Sequence, residues 1–262
     1  MSHLRVFATV VFFFIPVGIF IAMVAALKLG QRVALNRRIH EKEETDGTAP
    51  LEGALFALFG LLVAFSFSGA QDRLDVRRAM IVDEATAIGT AYLRLDVLPA
   101  ADRPALKEKL RRYVDARITY YRKLLDNDVA GTEKALIVEL QNQIWTETVA
   151  STTRATDERA ATVVLPSLNE MFDITTKREA AMRTHIPIAI FALLGLLSVA
   201  CAFLAGIDMA RADKIRHVYV VAFAGTMALA AFVILNLEFP RLGFVRFEPL
   251  DAFLVDARAQ MR

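Results

Sequence analysis

Cysteine is almost absent from this sequence, which removes one way of holding a fold together. The single cysteine, Cys201, cannot form a disulfide within the chain. It lies in an apolar stretch, so we expect it to be a small buried hydrophobic residue. The four histidines are scattered, and neither HExxH nor CxxC is present to hold a metal ion. The sequence therefore predicts no metal site.

Motifs for nucleotide binding and nucleophilic catalysis are also missing. The sequence contains no Walker loop, no GxGxxG and no GxSxG, and "SFSG" at 66–69 lacks the first glycine of a nucleophile elbow. The net charge of +2 gives no argument for a nucleic-acid partner. We therefore expect neither an enzyme nor a cofactor.

Apolar residues are abundant instead. They make up 55% of the 262 residues, charged residues make up 23%, and mean hydropathy is +0.41. A bilayer core requires roughly 20 apolar residues in a helix, and the first such run begins at Val6. The predicted spans are 1–29, 51–70, 186–207 and 218–238. They leave two short loops at 30–50 and 208–217, and a C-terminal tail at 239–262.

The long stretch between the second and third spans, 71–185, is polar and has few glycines. Heptad spacing of apolar residues from Leu74 to Leu95 predicts that the second span continues as one helix to about Leu98. A second helix restarts after Asp102, a plausible N-cap, and a third covers about 132–151. A fourth, from about Thr153, feeds into the third span. The fold class is thus all-α, with four transmembrane helices and an inserted helical bundle continuous with the second and third spans.

Two acidic features of this region have competing interpretations. "DNDVAG" at 126–131 resembles the start of a calcium loop, but Ala130 and Ile137 occupy ligand positions, so a plain loop is favoured. Acidic and basic residues also cluster after the second span, as a salt-bridged face or an ion-attracting vestibule. That cluster comprises Asp72, Asp75, Asp83 and Glu84 beside Arg73, Arg77 and Arg78.

The second span divides into three faces when residues are placed about 100° apart on a helix. Leucines suit lipid, and small residues spaced by four let helices approach closely. The aromatic face either packs against the other spans or lines a narrow hydrophobic pore in a symmetric oligomer. The pore-lining candidates are Glu52, Phe56, Phe59, Val63, Ser66 and Phe67. The helix-packing candidates are Gly53, Ala57, Gly60, Ala64 and Ser68, for which Ser198, Ala202 and Gly206 offer a matching series.

The fourth span ends with two polar residues, Asn236 and Glu238. An ionisable residue at this depth usually has a partner or lines a water path. Arg241 lies three residues beyond Glu238 and could pair with it, although Pro240 interrupts regular helix there. The other interpretation is a carboxylate at the membrane interface.

Three stretches resemble a known family: "GALFALFGLLVAFSFSGAQDRLDVRR" (53–78), "VDEATAIGTAYLRLDVLP" (82–99) and "NLEFPRLGFVRFEP" (236–249). They look like the bestrophin-like membrane proteins, which are distantly similar to the bestrophins. That resemblance implies a pentameric anion channel with four spans and an aromatic constriction on the second, which "LFALFG" at 55–60 echoes. No acidic cluster matches the bestrophin calcium clasp, so calcium activation is not implied.

The resulting hypothesis is an oligomeric, anion-conducting channel with a hydrophobic neck on the second span. The alternative is a non-conducting membrane sensor or scaffold that acts through the helical bundle. The partners expected are the lipid bilayer, further copies of the chain and inorganic ions, in a bacterial inner membrane. Basic residues in the short loops favour an extracytoplasmic 71–185 region, whereas the bestrophin resemblance favours the cytosol, and the side is left open.

Overall fold

The described residues of the chain fold into α-helices. The computed structural model describes residues 3–36, 49–124, 127–157, 159–210, 217–240 and 248–261, and these contain no β-strand. A short 3-10 turn, Leu95–Val97, follows the second helix. The helices are α1 His3–Asn36, α2 Ala49–Arg94, α3 Arg103–Arg122, α4 Asn127–Arg154, α5 Ala160–Arg183, α6 Ile188–Ala210, α7 His217–Glu238 and α8 Glu248–Gln260.

Four segments are long and apolar enough to cross a membrane: Phe13–Asn36, Ala49–Val97, Ala160–Ala210 and Val218–Glu238. The prediction of an all-helical protein with four spans is confirmed. The first helix extends past the predicted boundary at residue 29, so the start of the expected 30–50 loop is helical. Gly30 lies inside α1, at a place where this helix packs closely on α6.

The chain divides into two compact units. The span unit, residues 7–74 and 185–245, holds α1, the first half of α2, α6 and α7. The polar unit comprises 75–184 with the C-terminal segment, and includes α3, α4, α5 and α8. That the polar unit forms a bundle outside the membrane stays a prediction.

The polar unit has its own hydrophobic core. The 3–4 residue spacing along α3 buries Leu106, Leu110 and Tyr113 completely, as an amphipathic helix requires. The predicted tail contains α8, which sequence reasoning missed, and its Leu254 is fully buried in the same core. Arg258 Nε of α8 donates to Asp115 Oδ1 on α3 at 2.8 Å. The α8 part of the tail is therefore part of this unit's packing.

Three helix ends differ from the sequence prediction. The "DNDVAG" stretch is not a loop from Asn127 onward, because α4 begins there. The fourth helix begins at Ala160 rather than Thr153, since the Asp157 side chain accepts a hydrogen bond from the Arg159 backbone N–H and turns the chain first. The passage into the third span is also broken: α5 ends at Arg183 and 184–187 are not helical. Pro187 disfavours helix in the residue before it.

The Asp102 side chain connects α3 and α4 through hydrogen bonds. Asp102 occupies the N-cap position of α3 as predicted, but its side chain makes no cap hydrogen bond. Its carboxylate instead accepts from Ser151 Oγ at 2.7 Å and Arg154 Nη2 at 3.0 Å. The hydrogen bond from Ser151, followed by that from Arg154, lowers the pKa of Asp102. The carboxylate thus links the start of α3 to the end of α4.

Candidate functional site: the second span and its two ends

The aromatic face of α2 is largely turned into the span unit. Phe59 is 5% exposed and packs in a cluster with Leu197 and Cys201 of α6. The Phe56 ring meets Phe223 of α7 edge-on, with ring centroids 6.2 Å apart. Cys201 is buried, as a small hydrophobic residue would be. Packing against the other spans, one of the two interpretations of this face, is what Phe56 and Phe59 do within the single chain.

The remaining pore-lining candidates are divided between the inside and the outside of the unit. Ser66 is buried, and its hydroxyl donates to the Leu62 carbonyl at 2.7 Å. Val63 and Glu52 are partly buried, whereas Phe67 is 44% exposed. Phe59 and Val63 also line an apolar cavity of about 110 Å³ among α1, α2, α6 and α7. Of the six candidates, Phe67 is the one whose side chain is most open to a second molecule.

The small residues of α2 form a continuous outer stripe. We call Gly53, Ala57, Gly60, Ala64 and Ser68 the small-residue stripe, and every member is exposed. Apart from the adjacent residues and nearby backbone of α2 itself, no atom of the described chain lies within 4 Å of a Cβ built at Gly53 or Gly60. At about 100° per residue the stripe lies opposite the side that carries Phe59 and Ser66. The stripe is therefore not used to pack this chain against itself.

The small series of the third span has a different partner from the one expected. A Cβ built at Gly206 would lie 2.1 Å from the Leu27 carbonyl oxygen, and one at Gly30 would lie 2.1 Å from the Phe203 carbonyl oxygen. Ala202 belongs to a buried cluster with Leu27. Gly30 and Gly206 thus allow α1 and α6 to touch backbone to backbone. The expected match between Ser198, Ala202 and Gly206 and the small-residue stripe does not occur within the chain.

A polar contact closes one end of the span unit. Glu238, at the end of α7, is fully buried, and its Oε2 accepts from Arg73 Nε of α2 at 3.0 Å. Its Oε1 accepts from the Ile186 backbone N–H at 2.9 Å and lies 3.3 Å from His185 Nδ1. The His185 ring stacks on Phe239, with centroids 4.8 Å apart. One carboxylate therefore connects α2, α7 and the segment that precedes α6.

The two polar residues of the fourth span have different surroundings. Asn236 is buried, and its Nδ2 donates to the Phe232 carbonyl at 2.7 Å, one turn earlier in the same helix. Glu238 accepts a hydrogen bond from Arg73, which is one of the basic residues that follow the second span in the sequence. The expected partner Arg241 lies outside the described residues.

The charged cluster after the second span does not form one face. Glu84 is fully buried in the polar unit, where Arg117 Nε donates to it at 2.8 Å and Arg178 Nη1 at 2.7 Å. The Arg178 guanidinium lies 3.5 Å from the centroid of the Tyr121 ring, and Arg117 also hydrogen-bonds the Tyr121 hydroxyl. Burial raises the pKa of Tyr121. The Glu84 cluster therefore links α2, α3 and α5 inside the polar unit.

Arg77 and Arg78 of the same cluster have other roles. Arg77 donates to the backbone carbonyls of Ala181 at 3.1 Å and Thr184 at 2.7 Å, at the end of α5. Arg78 Nη1 lies 3.6 Å from Asp75 Oδ1, and their side chains are 41% and 57% exposed. In the described residues no group of three or more histidine, cysteine or acidic side chains is placed to hold a metal ion.

The four apolar helices and their buried polar contact define the class of the protein: a multi-pass helical membrane protein. Residues 17–251 match the family model described as "Bestrophin-like domain". This match covers most of the chain, so the protein belongs to the bestrophin-like family. No curated protein and no solved structure matches it.

Proposed function

We propose that the chain assembles into an oligomeric ion channel in which α2 faces other copies of the chain. The observation that carries the proposal is the small-residue stripe, which is exposed along the span although Phe59 and Ser66 on the other side are buried. Large apolar side chains are the usual covering toward lipid, whereas stripes of small residues allow a second helix to approach closely. Membership of the bestrophin-like family supports a channel in particular.

The hydrophobic neck follows from this orientation. If α2 repeats around a symmetry axis, Phe67 and the partly buried Phe56 flank the stripe on one side. A ring of such side chains makes an apolar constriction that water enters reluctantly. Phe59 and Val63 contribute less, because the chain's own helices surround them. Anion preference rests on the family resemblance, and a ring of Glu52 carboxylates at one mouth would oppose it.

The assembly test replaces one glycine of the stripe. Gly60→Leu adds a large side chain at a position open within the chain, so the protomer should fold normally. If the stripe is the contact between copies, crosslinking and size exclusion in detergent should show loss of the oligomer. If the stripe faces the pore, the oligomer should persist and the current should fall. Gly18→Leu, at an equally open position on α1, is the matched control.

The conductance test uses purified protein in planar bilayers with asymmetric chloride salts. Phe67→Ala should raise conductance because it widens and wets the neck. Phe56→Ala should do so less, and Phe59→Ala least. Reversal potentials of wild type and Glu52→Gln report the ion preference. Silent membranes at protein densities where oligomers are present, or a Gly60→Leu protein unchanged in both assembly and current, would refute the proposal.

A sensor or scaffold is the second candidate, and one surface of the polar unit favours it. The exposed side of α4 carries Val138, Trp145 and Val149, which are 48%, 39% and 37% exposed. With Asn142 between Val138 and Trp145, these residues follow one another about one turn apart on one face and include no charge. An uncharged face of this kind suits a protein partner. Silent bilayers together with burial of Trp145, the only tryptophan, on adding a candidate partner would favour this function.

A further inference from the structure

An apolar groove lies on the outer surface of the span unit between α2 and α6. It encloses about 190 Å³ and includes Phe65, Ile190 and Leu193, which are 65%, 38% and 43% exposed. Gly69 forms part of its floor, and Arg73 is its charged lining residue. On α2 the groove lies to the side of the small-residue stripe, in the sector where the large apolar side chains point outward. It is therefore open to lipid even if the stripe contacts another copy.

The guanidinium of Arg73 lies at this groove, with Nη1 and Nη2 beside Gly69. Its Nε is used by Glu238, which lies fully buried behind it. Nη1 and Nη2 lie 3.4 and 3.5 Å from a Cβ built at Gly69, so the absence of a side chain there leaves room for them. Among the described residues no acceptor hydrogen-bonds either atom. A guanidinium has five N–H donors in a planar fork, and most of those of Arg73 remain available.

The groove also lies at the right depth for a lipid headgroup. Arg73 follows the last apolar residues of the second span by about one turn, and Ile186, which also lines the groove, begins the apolar run of the third span. The charged end of the groove therefore lies at the end of two spans, where phosphates occur in a bilayer. The rest of the groove extends along the spans toward the hydrocarbon.

We infer that this groove binds an anionic phospholipid. One acyl chain lies against Phe65, Ile190 and Leu193, and the phosphate accepts hydrogen bonds from Nη1 and Nη2 of Arg73. Arginine forms such paired, charge-assisted bonds with phosphate readily. A free phosphate would have to give up hydration to enter a groove that is otherwise nearly apolar, so the lipid is the better match. A headgroup without an ammonium group is preferred, because an ammonium would place a second cation beside Arg73.

The binding test measures thermal unfolding of the full-length protein in detergent during lipid titration. Dioleoylphosphatidylglycerol should raise the unfolding temperature by mass action. Dioleoylphosphatidylcholine should raise it less, and dioleoylglycerol and inorganic phosphate should have little effect. Native mass spectrometry of the same samples counts the phosphatidylglycerol molecules that stay bound. If inorganic phosphate reproduces the shift, the site is for free anions; if all lipids act equally, no headgroup is recognised. Either result overturns the proposal.

Two variants distinguish a loss of lipid binding at the groove from a general loss of stability. Leu193→Trp fills the apolar part of the groove while Arg73 and Glu238 keep their side chains, and should abolish the phosphatidylglycerol shift. Leu196→Trp is its control, because Leu196 is 67% exposed on the same helix and does not line the groove. Arg73→Lys keeps a cation beside Glu238 but loses the fork, and should weaken lipid binding about tenfold. A Leu193→Trp protein that binds phosphatidylglycerol like wild type would refute the site whatever Arg73→Lys does.

Discussion

Arg73 and Glu238 are 165 residues apart in the sequence and 3.0 Å apart in the fold, Nε to Oε2. The Glu238 side chain is fully buried, and that of Arg73 is 28% exposed. Removing one member of a buried ion pair costs more than the pair itself contributes, because the other charge stays without compensation. The pair is therefore expected to hold α2 and α7 in register at this end of the span unit.

A double-mutant cycle tests this contact. Arg73→Gln should lower the free energy of unfolding by about 3 kcal/mol, because Glu238 loses its cation. Glu238→Gln should also destabilise, and the double variant should lose less than the sum, by about 1–3 kcal/mol. Unfolding is measured in lipid-free detergent, so that no lipid stabilises the wild type.

Arg78→Gln is the matched control for this cycle, since Arg78 lies on the same helix and its side chain is 41% exposed beside the exposed Asp75. It should change stability by no more than about 0.5 kcal/mol. Strictly additive effects of the two single changes would mean that the ion pair contributes nothing.

The crossing of α1 and α6 gives a second prediction. A Cβ at Gly206 would lie 2.1 Å from a backbone oxygen, which cannot move without separating the helices. Gly206→Ala and Gly30→Ala should each destabilise the span unit by about 1–3 kcal/mol or more. Denaturant unfolding in detergent measures the loss.

Gly60→Ala provides the comparison, since nothing lies within 4 Å of its Cβ position. It should be neutral, or stabilise by up to about 1 kcal/mol through helix propensity. If Gly206→Ala and Gly60→Ala behave alike, the close approach at Gly206 is not a feature of the folded protein.

Hydropathy predicted the spans well because a bilayer imposes their length and composition, as the agreement between 218–238 and α7 shows. Spacing also revealed the small-residue stripe, since helical geometry fixes which residues share a face. Partners across helices could not be predicted in this way. Nothing local distinguishes Arg73, which reaches Glu238, from Arg77, which binds carbonyls of α5. Likewise, Gly206 and Gly60 look equivalent in sequence, but Gly206 packs against the backbone of α1, whereas Gly60 faces open space.

Local signals also misplaced some helix ends. The turn propensity of Asn127 and Asp128 favours a loop, but the same residues start helices well, and α4 begins at Asn127. The helix α8 was missed because it is short and its apolar side is recognisable only when α3 is there to cover it. Both cases depend on tertiary packing, which overrides local preference.

Replacing one carboxylate oxygen of the buried Glu84 by an amide nitrogen should strongly lower the stability of the polar unit. Glu84→Gln keeps the shape but removes the anion that both Arg117 and Arg178 contact, and leaves Arg117 only Glu179, 3.8 Å from its Nη1. We expect a loss of about 3–5 kcal/mol in the unfolding free energy of the polar unit. Thermal unfolding followed by circular dichroism measures this in the full-length protein.

Asp83→Asn serves as the control, because Asp83 is the exposed neighbour of Glu84 on α2. It removes one carboxylate from the same stretch and should change stability by less than about 0.5 kcal/mol. Equal effects of the two substitutions would show that net charge, and not the buried cluster, determines the stability of this unit.

The tyrosines of α3 predict the behaviour of the protein in alkali. Burial raises the pKa of Tyr113, whose hydroxyl is 3.0 Å from Thr175 Oγ1, and that of Tyr121. A tyrosine in the unfolded chain loses its proton near pH 10. Above that pH the unfolded state therefore binds fewer protons than the folded state, so stability is fully present below about pH 10 and falls as the pH rises further. In the folded protein Tyr113 and Tyr121 should stay protonated until the polar unit unfolds.

Titration of tyrosinate absorbance, followed alongside circular dichroism, tests this behaviour. Part of the absorbance change from the five tyrosines should coincide with the loss of helix and not with an ordinary titration near pH 10. Tyr121→Phe should reduce the late part, because the Tyr121 side chain is fully buried in the polar unit. If Tyr113 and Tyr121 ionise near pH 10 while the helices remain intact, they are accessible to solvent and the buried cluster around Glu84 is not closed.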